Sequence, residues 1–491
     1  MLPGVAGTNG ASSTRAAFLR RTAAGALALG GAVTPRFVDD ALAWSTAAVP
    51  PEVHRFRSRL DIVTPRLTVL QKHEGRSTGY LFTAPNSGPG NRGALLLDDD
   101  AQPVWFRNSR PVVALNFRPA FYRGKPVLTW WEGKTTRGLG DGTHIVVDDA
   151  YREVLRLSAG NSRPSDLHEF IVTERGTALV TAWEKSTADL TAVGGPANGP
   201  VIGGVVQELE LPSGRVLFEW RSLDHVTIDE SHQPWTPQGA YDYFHVNSIE
   251  LDRDGNLLVS ARNTWTVYKL DRGSGDVIWR LGGKKSDFQM GPGTGFAWQH
   301  DARRHGGSEY LLSLFDDGAA PQVQPQSKAL ILKVDQTHMR ATVHRRYTHY
   351  PNVLAHALGS VQMMPNSNVL VGWGTAPYIT EFASDGKVLW DARLPTGGEN
   401  YRALRLPWTG RPARRPDAIV EYAKGRHTIY VSWNGATELT HWRLVSTKET
   451  TTHPRTGFET AIVAPVGVKT VALTPLDAKG APLHSALEFK V

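Results

Sequence analysis

The chain has 491 residues and no cysteine, which excludes disulfides, thiolate nucleophiles and Cys-ligated zinc or iron–sulfur centres. With 54 Lys and Arg against 47 Asp and Glu, its net charge of +7 is modest for this length. This balance argues against nucleic-acid binding and suits a small anionic substrate. The sequence contains no run of 18 apolar residues, so it predicts no internal membrane span.

The first 43 residues have the features of an export signal. Arg20 and Arg21 precede a weakly apolar stretch at 22–33, and Ala41-Leu42-Ala43 offers a small-x-small cleavage site. Paired arginines before such a stretch are typical of twin-arginine signal peptides, which predicts an exported protein of the cell envelope or the extracellular space. The alternative is a basic disordered tail, which would not need the cleavage site.

One short pattern occurs six times between residues 93 and 394: an alternating apolar strand, an Asp or Gly turn, and a last strand that usually opens with Val. The copies lie at 95–106, 144–157, 206–220, 267–279, 329–343 and 378–390. They are 46 to 65 residues apart, close to the length of a propeller blade. Residues 44–410 are therefore predicted to form a six-bladed β-propeller, in which 401–406 supplies the inner strand that the first blade lacks.

The composition changes beyond residue 410. The segment 411–416, with three Arg and two Pro, has the composition of a linker, and short strands separated by turns follow it up to residue 491. This pattern predicts a small C-terminal β-sandwich of immunoglobulin or fibronectin III type at 411–491, and thus an all-β protein. No ionisable cluster marks this region as catalytic, so we interpret it as a binding or docking module.

Four successive repeats carry a histidine at the start of their first strand. These are His168, His245, His300 and His356. A lone strand histidine is more often structural than catalytic, but the shared position would direct four imidazoles toward one axis if the first strands are innermost. Arg and neutral His together can hold a tetrahedral anion and exchange a proton near pH 7.

Two alternatives use the same residues differently. Several histidines around an axis can bind zinc, iron or copper, but these lie on separate repeats, with only Glu169 and Asp301 as nearby acidic ligands. A quinone cofactor is the other alternative, because 271–279 is similar to the docking motif of quinoprotein propellers, although only one repeat has it. We rank both below the anion site and expect neither a metal nor a cofactor.

Basic residues near the predicted axis are further candidates for substrate binding. Arg402 lies in the closing segment, and Lys328 opens a strand after the loop at 315–318. Their alternative role is that of solvated charge at a strand edge, which is common. Asn247, two residues after His245, adds a hydrogen-bonding group.

Several motifs in combination resemble the arylsulfotransferase family, in its actinobacterial branch, over about residues 65–410. They are Phe244-His245-Val246-Asn247-Ser248-Ile249, Trp298-Gln299-His300-Asp301-Ala302-Arg303, Leu314-Phe315-Asp316-Asp317-Gly318, Val369-Leu370-Val371-Gly372-Trp373-Gly374 and Tyr401-Arg402-Ala403-Leu404-Arg405. The resemblance implies a six-bladed propeller that transfers a sulfuryl group from a phenolic sulfate ester to a phenol, without the nucleotide donor PAPS. It also implies a histidine that is transiently sulfated, while other histidines and an arginine hold the sulfate and handle protons.

Carried over by motif, His245 and His300 match the family, and His168 and His356 join them as predicted catalytic residues from the repeat alignment. Asn247, Lys328 and Arg402 are the predicted substrate-binding residues, with Lys328 where related chains have arginine. Which histidine is the nucleophile stays open at this point. The competing interpretation is a propeller that binds a ligand or a cell-surface partner without catalysis.

Overall fold

The computed structural model describes residues 52–307 and 309–491, so the predicted signal peptide at 1–43 lies outside the described residues. The described chain is built of β-strands, and the all-β prediction is confirmed. Its helices are the α-helical turn Ser222–His225 and the 3-10 turns Thr191–Val193 and Ile228–Glu230. None of the helices in the described residues is long and apolar enough to cross a membrane.

Six antiparallel sheets of four strands follow one another along the described chain, and we number them 1 to 6. Sheet 1 consists of Leu404–Leu406, Tyr80–Thr83, Gly93–Leu97 and Pro103–Asn108; sheet 2 of Val113–Tyr122, Lys125–Thr136, Leu139–Val147 and Glu153–Leu157; sheet 3 of Ser165–Val172, Thr177–Ala188, Gly199–Glu210 and Val216–Arg221. Sheet 4 consists of Val246–Leu251, Leu257–Ala261, Thr266–Leu270 and Val277–Gly282; sheet 5 of His300–His305, Leu311–Asp316, Lys328–Asp335 and Arg340–Tyr347; sheet 6 of Ser360–Met363, Val369–Gly372, Tyr378–Phe382 and Val388–Arg393. The late strand Leu404–Leu406 pairs with Tyr80–Phe82, as predicted from the sequence.

Short strands extend three of these sheets. Tyr241–Asp242 joins sheet 3, Gln289–Met290 joins sheet 5, and Thr68–Lys72 pairs with the last strand of sheet 6. Val53–Arg55 and Val63–Pro65 form a separate hairpin.

The repeated sequence pattern corresponds to the turn between the third and fourth strands of a sheet. In five of the six sheets an aspartate carboxylate in this turn accepts backbone N–H groups; these are Asp98, Asp148, Asp271, Asp335 and Asp385. Such side-chain acceptors replace strand pairing where the chain reverses. A register shift follows the turn in every sheet, so the turn and its bulge form one repeated unit.

Apolar clusters lie between successive sheets. Phe82 of sheet 1 and Trp130 of sheet 2 share one cluster, and Trp390 of sheet 6 packs with Leu95 of sheet 1 in another. The alternating apolar residues of each strand therefore face neighbouring sheets on both sides.

Two more sheets form the C-terminal region. Sheet 7 consists of Asp417–Ala423, Arg426–Ser432 and Glu459–Val463, and sheet 8 of Thr450–Pro454, His441–Ser446, Thr470–Leu476 and Leu487–Lys490. Ile429 and Val431 of sheet 7 share an apolar cluster with Trp442, Leu444 and Leu473 of sheet 8. The immunoglobulin or fibronectin III type and the boundary at residue 411 stay predictions.

A buried charge network joins the first strands of sheets 2, 3, 5 and 6 to Arg402, which lies just before the first strand of sheet 1. Glu169 of sheet 3 accepts hydrogen bonds from Arg402 at 2.8 and 3.1 Å and from Arg303 of sheet 5 at 2.5 Å, and it lies 3.5 Å from Arg118 of sheet 2. Asp301 contacts Arg303 and Arg402, and its carboxylate accepts a hydrogen bond of 3.1 Å from the backbone N–H of Val361 in sheet 6. The arginines hold the pKa of the Glu169 carboxyl at about 2, against the opposing effect of its burial.

We expect Glu169→Gln to destabilise the protein by about 3 kcal/mol, because the neutral amide leaves buried arginines without their counter-charge. Because the pKa is depressed in the folded state, the Glu169 contribution is present above about pH 4.5 and is lost as the pH falls toward 2. Urea unfolding at several pH values should therefore show that the difference in free energy of unfolding between the wild-type protein and Glu169→Gln narrows from pH 5 downward.

Glu421→Gln is the matched control, because Glu421 pairs with Arg57 on the surface and should cost at most about 1 kcal/mol. Equal losses of unfolding free energy in Glu169→Gln and Glu421→Gln would show that the Glu169 network does not stabilise the fold.

Candidate functional site

Three of the four predicted histidines converge at the first strands of sheets 3, 4 and 5. His168 lies in the first strand of sheet 3, His245 directly before the first strand of sheet 4, and His300 at the start of sheet 5. The ring centroid of His168 is 5.1 Å from that of His245 and 6.4 Å from that of His300. We call these three residues the histidine cluster.

The fourth histidine does not belong to the cluster. His356 is exposed and lies four residues before the first strand of sheet 6, which begins at Ser360. Its prediction as a strand-start residue was wrong, because Leu358 and Gly359 both have positive φ and turn the chain before the strand begins. Its backbone carbonyl nevertheless accepts a hydrogen bond from Arg262 at 3.0 Å.

Each clustered imidazole has a carboxylate at its Nδ1 atom. The Nδ1–Oδ2 distances are 2.5 Å from His168 to Asp166, 2.5 Å from His245 to Asp242, and 2.7 Å from His300 to Asp317. A carboxylate accepts the proton of Nδ1, so the tautomer assigned from these contacts leaves the lone pair on Nε2. None of the three Nε2 atoms has a hydrogen-bond partner among the described residues.

Burial keeps two of these imidazoles neutral. Desolvation lowers the pKa of His168 against the attraction of Asp166. Desolvation, followed by the positive charge of Arg262, lowers the pKa of His300 well below its usual range. At pH 7 both rings therefore present an unprotonated Nε2 atom, which is the form that acts as a nucleophile or a base.

Irregular backbone at the start of the first strands of sheets 3, 4 and 5 determines the directions of these side chains. The first strand pairs of sheets 3, 4 and 5 each contain a register shift at this point, and His245 and Asp301 have φ of 55° and 56°. A bulge redirects consecutive side chains. His168 and His300 thus enter the cluster, while the next residues, Glu169 and Asp301, enter the charge network.

The segment before Leu404 fills the centre between the cluster and the charge network. The hydroxyl of Tyr401 lies 3.0 Å from the carbonyls of His168 and Asn247, to which it donates, and its ring contacts the imidazoles of His168 and His300. Arg402 is buried, and its guanidinium is bound by Glu169, Asp301 and Asn116. Arg402 therefore serves the charge network rather than the cluster.

The other two predicted substrate-binding residues are also engaged elsewhere. The ammonium of Lys328 forms an ion pair with buried Asp316 at 2.9 Å and contacts Gln324. The carboxamide of Asn247 is buried and donates to the carbonyl of Gln299 at 2.6 Å. Neither residue lines the cleft beside His245.

A cleft of about 380 Å³ opens beside His245. Its walls include Asp242 and the cations Arg137 and Arg262, together with Gly138, Gln233, Pro234, Thr236, Gln238, Ala240, Tyr241, Asn263 and Ala357. The long segment at 223–243, between the last strand of sheet 3 and the first strand of sheet 4, supplies one wall. The hairpin tip at Gly138 approaches so closely that an added Cβ would lie 3.1 Å from Cε1 of His245.

Arg262 is a functional candidate that was not among the predicted substrate-binding residues. Its guanidinium lies 4.7 Å from the ring of Trp298 and donates to Asn263 and to the carbonyl of His356. It forms no ion pair with any described carboxylate. An oriented guanidinium without a counter-ion can bind an anion in the cleft.

The three carboxylates were also missed. Asp166 precedes His168 by two residues and Asp242 precedes His245 by three, so a search for acidic residues close to the repeated histidines would have found two of them. Within the described residues, no set of three or more His, Asp or Glu side chains has the geometry of a metal site.

Comparison with solved structures gives distant matches. A protein of unknown function from Bacteroides caccae shares 12% identity, with a TM-score of 0.42, over 67% of this chain and 98% of its own. A virginiamycin B lyase from Staphylococcus aureus shares 9% identity, with a TM-score of 0.25, over 66% of this chain and 83% of its own. No curated protein matches the sequence.

The sequence itself matches a family model described as Arylsulfotransferase (ASST) over residues 118–394. This match spans more than half of the chain and contains the whole histidine cluster, its three carboxylates and Arg262. The chain belongs to the arylsulfotransferase (ASST) family.

Proposed function

We propose that the protein is a PAPS-independent arylsulfotransferase that moves a sulfuryl group from a phenolic sulfate ester to a phenol through a sulfated histidine. The observation that carries this proposal is the histidine cluster, in which three imidazoles have a carboxylate at Nδ1 and an unpartnered Nε2 atom. Family membership and the nearby guanidinium of Arg262 support the same reaction.

In the first half-reaction, Nε2 of a buried imidazole, His168 or His300, attacks the sulfur of the donor. An N–S bond forms as the bond between sulfur and the aryl oxygen breaks, and the aryl oxide leaves. The carboxylate at Nδ1 stabilises the positive charge that develops on the attacking ring. The N–S bond of the sulfated histidine then breaks when the oxygen of the acceptor phenol attacks the same sulfur.

His245 is placed to carry the proton between the two half-reactions. Its ring lines the cleft, whereas His168 and His300 are buried and do not line it. In this role His245 begins the cycle with a proton on Nε2, gives it to the departing aryl oxide and takes one from the hydroxyl of the acceptor, so each cycle ends with no net change in protons. Different environments thus assign different tasks to similar side chains.

Arg262 holds the sulfuryl oxygens in this proposal. Sulfuryl transfer places negative charge on oxygens around the sulfur, and fixed donors stabilise such charge best when they do not reorganise. The guanidinium is fixed by Trp298, Asn263 and the carbonyl of His356. It forms no ion pair with a described carboxylate, and Asp317 and Asp242 attract it only from a greater distance. Arg262 therefore takes the role that the sequence assigned to Lys328.

The architecture that we propose is a six-bladed propeller with a C-terminal β-sandwich. Six successive four-stranded sheets with apolar clusters between neighbours support the propeller, as does the assembly of sheet 1 from both ends of the region.

The motifs around His245 and His300 support membership of the actinobacterial branch. Arg20-Arg21 and the Ala-x-Ala site support export to the cell envelope or the extracellular space.

The test is incubation with p-nitrophenyl sulfate and a phenol acceptor, with release of nitrophenolate as the readout. We expect release by the wild-type protein and a loss of at least about 10²-fold in His168→Ala and His300→Ala. Mass spectrometry of the protein quenched without acceptor should locate one sulfuryl group on His168 or His300.

His338→Ala is the control, because His338 lies on an exposed turn. If the wild-type protein releases no more nitrophenolate than His300→Ala, the alternative of a non-catalytic propeller replaces this proposal. Turnover without a sulfated histidine would instead indicate direct transfer between donor and acceptor.

Gly138→Ala should lower kcat/KM by about tenfold or more, because the new methyl group crowds the side of His245 that faces the cleft. Gly124→Ala is a matched control. Both glycines lie in hairpin turns with positive φ, so the backbone strain is comparable, but an added Cβ at Gly124 meets no atom within 4 Å. Equal activity of the two variants would show that the space beside His245 is not used.

The pH profile tests the buried imidazoles. A nucleophilic histidine must be unprotonated, and burial lowers the pKa of both His168 and His300, so the acid limb of kcat/KM should lie below pH 6.5.

Asp317→Asn should reduce kcat by roughly 10²- to 10⁴-fold, because the amide no longer fixes the Nδ1–H tautomer. Asp335→Asn removes the carboxylate of the exposed pair with His338 and should leave the profile unchanged.

A further inference from the structure

The cleft beside His245 contains two cations, and the proposed reaction uses only one of them. Arg262 follows the second strand of sheet 4, and Arg137 lies at the tip of the hairpin between the second and third strands of sheet 2. Among the described residues that line the cleft, Asp242 is the one carboxylate, and it is bound to Nδ1 of His245 at 2.5 Å. The guanidinium of Arg137 therefore has no charge partner in the cleft.

The guanidinium of Arg137 is held in place. Its Nη1 atom donates to the carbonyl of Gln238 at 3.0 Å, which ties the hairpin to the segment at 223–243. Gly239 permits this contact, since it has φ of 79° and a Cβ there would lie 2.5 Å from Nη1 of Arg137. Arg137 forms no ion pair with a described carboxylate, so its other N–H groups can donate to a ligand.

The turn conformation alone does not explain the position of Arg137. A second two-residue turn, at Arg123, lies at the other end of the strand Lys125–Thr136, and both arginines have φ of 52°. Arg123 does not line the cleft, whereas Gly138, which follows Arg137, lies against the ring of His245. Of these two turns, the one at Arg137 thus brings its guanidinium to the cleft.

The charges in the cleft indicate the charge of its ligand. In the proposed reaction His245 begins the cycle protonated beside Asp242, and this pair has no net charge. Arg262 balances the single negative charge of a sulfate monoester. Arg137 then offers a further positive charge, which complements an acidic group on the aryl part of the substrate.

We infer that Arg137 determines substrate specificity, and that the cleft takes phenols and phenolic sulfate esters that carry a second acidic group, such as a carboxylate, away from the reacting oxygen. The N–H groups of a guanidinium match the two oxygens of a carboxylate. Arg137 would act in both half-reactions, because the departing aryl oxide and the incoming phenol occupy the cleft in turn. This inference rests on the proposed sulfuryl transfer.

Kinetics with a matched pair of acceptors test the inference. 4-Hydroxyphenylacetate and 4-hydroxyphenylacetamide present the same phenol, but only the first has a charged substituent. With p-nitrophenyl sulfate as donor, we expect the wild-type kcat/KM for the acid to exceed that for the amide by about tenfold or more. In Arg137→Gln the value for the acid should fall by about tenfold or more and the value for the amide by less than about twofold, while Arg137→Lys should keep part of the preference.

Arg123→Gln is the matched control, because it removes the same charge from the same kind of turn outside the cleft. This variant should keep the wild-type preference for the acid. Equal kcat/KM values for the two acceptors in the wild-type protein overturn the inference. An equal loss for both acceptors in Arg137→Gln also overturns it, because Arg137 would then act on the sulfuryl group that the two reactions share.

Binding of sulfonates separates this inference from the proposed reaction, because the C–S bond of a sulfonate is not transferred. In isothermal titration the dianion 4-sulfophenylacetate should bind the wild-type protein at least about tenfold more tightly than the monoanion p-toluenesulfonate, and Arg137→Gln should remove this difference. If neither acceptor is sulfated but the difference in affinity is present, the proposed transfer fails and the charge selectivity of the cleft stands. Absence of that difference overturns the charge selectivity, whether or not the acceptors are sulfated.

Discussion

The buried carboxylate of Glu169 is the constraint on which the centre of the molecule depends. An ionised group without solvent is stable only when counter-charges and donors surround it, and here Arg118, Arg303 and Arg402 do so. Arg118 and Arg303 lie in sheets 2 and 5, and Arg402 lies just before sheet 1, so satisfying one charge fixes these parts of the chain relative to one another. The same requirement engages Arg402, which the sequence alone offered as a ligand for the substrate.

Consecutive residues at the inner strand ends divide the centre into two layers. His168, His300 and Tyr401 face one layer, and their successors Glu169, Asp301 and Arg402 face the other. Charges compensate one another in the second layer, while the imidazoles of the first are kept neutral by burial. Separating structural charge from reactive nitrogen in this way lets His168 and His300 be buried without an uncompensated charge.

Local patterns explain what the sequence could predict. The strands and turns follow from alternating apolar residues and from aspartates that bond N–H groups two to four residues later, which a single repeat already contains. The side-chain partners do not. Asp317 lies 17 residues after His300, and Glu169 lies 233 residues before Arg402, so only the folded chain shows which groups meet. The prediction for His356 was wrong for a local reason. The chain turns at Leu358, and the apolar periodicity of the sequence does not reveal the positive φ of that residue.

The carboxylates behind the imidazoles also decide how an anion is held. The neutral imidazoles of His168 and His300, each paired with a carboxylate, contribute no net positive charge, so these two residues cannot by themselves attract a sulfate ester. That task falls to guanidinium groups that lack a partner, and Arg262 meets this condition beside the cluster. One guanidinium balances the single negative charge of a sulfate monoester, and the nucleophile need not be protonated to assist binding. The charge that binds the sulfate ester therefore belongs to Arg262, and the lone pair that attacks its sulfur belongs to His168 or His300. Because they are on different side chains, both are present at the same pH.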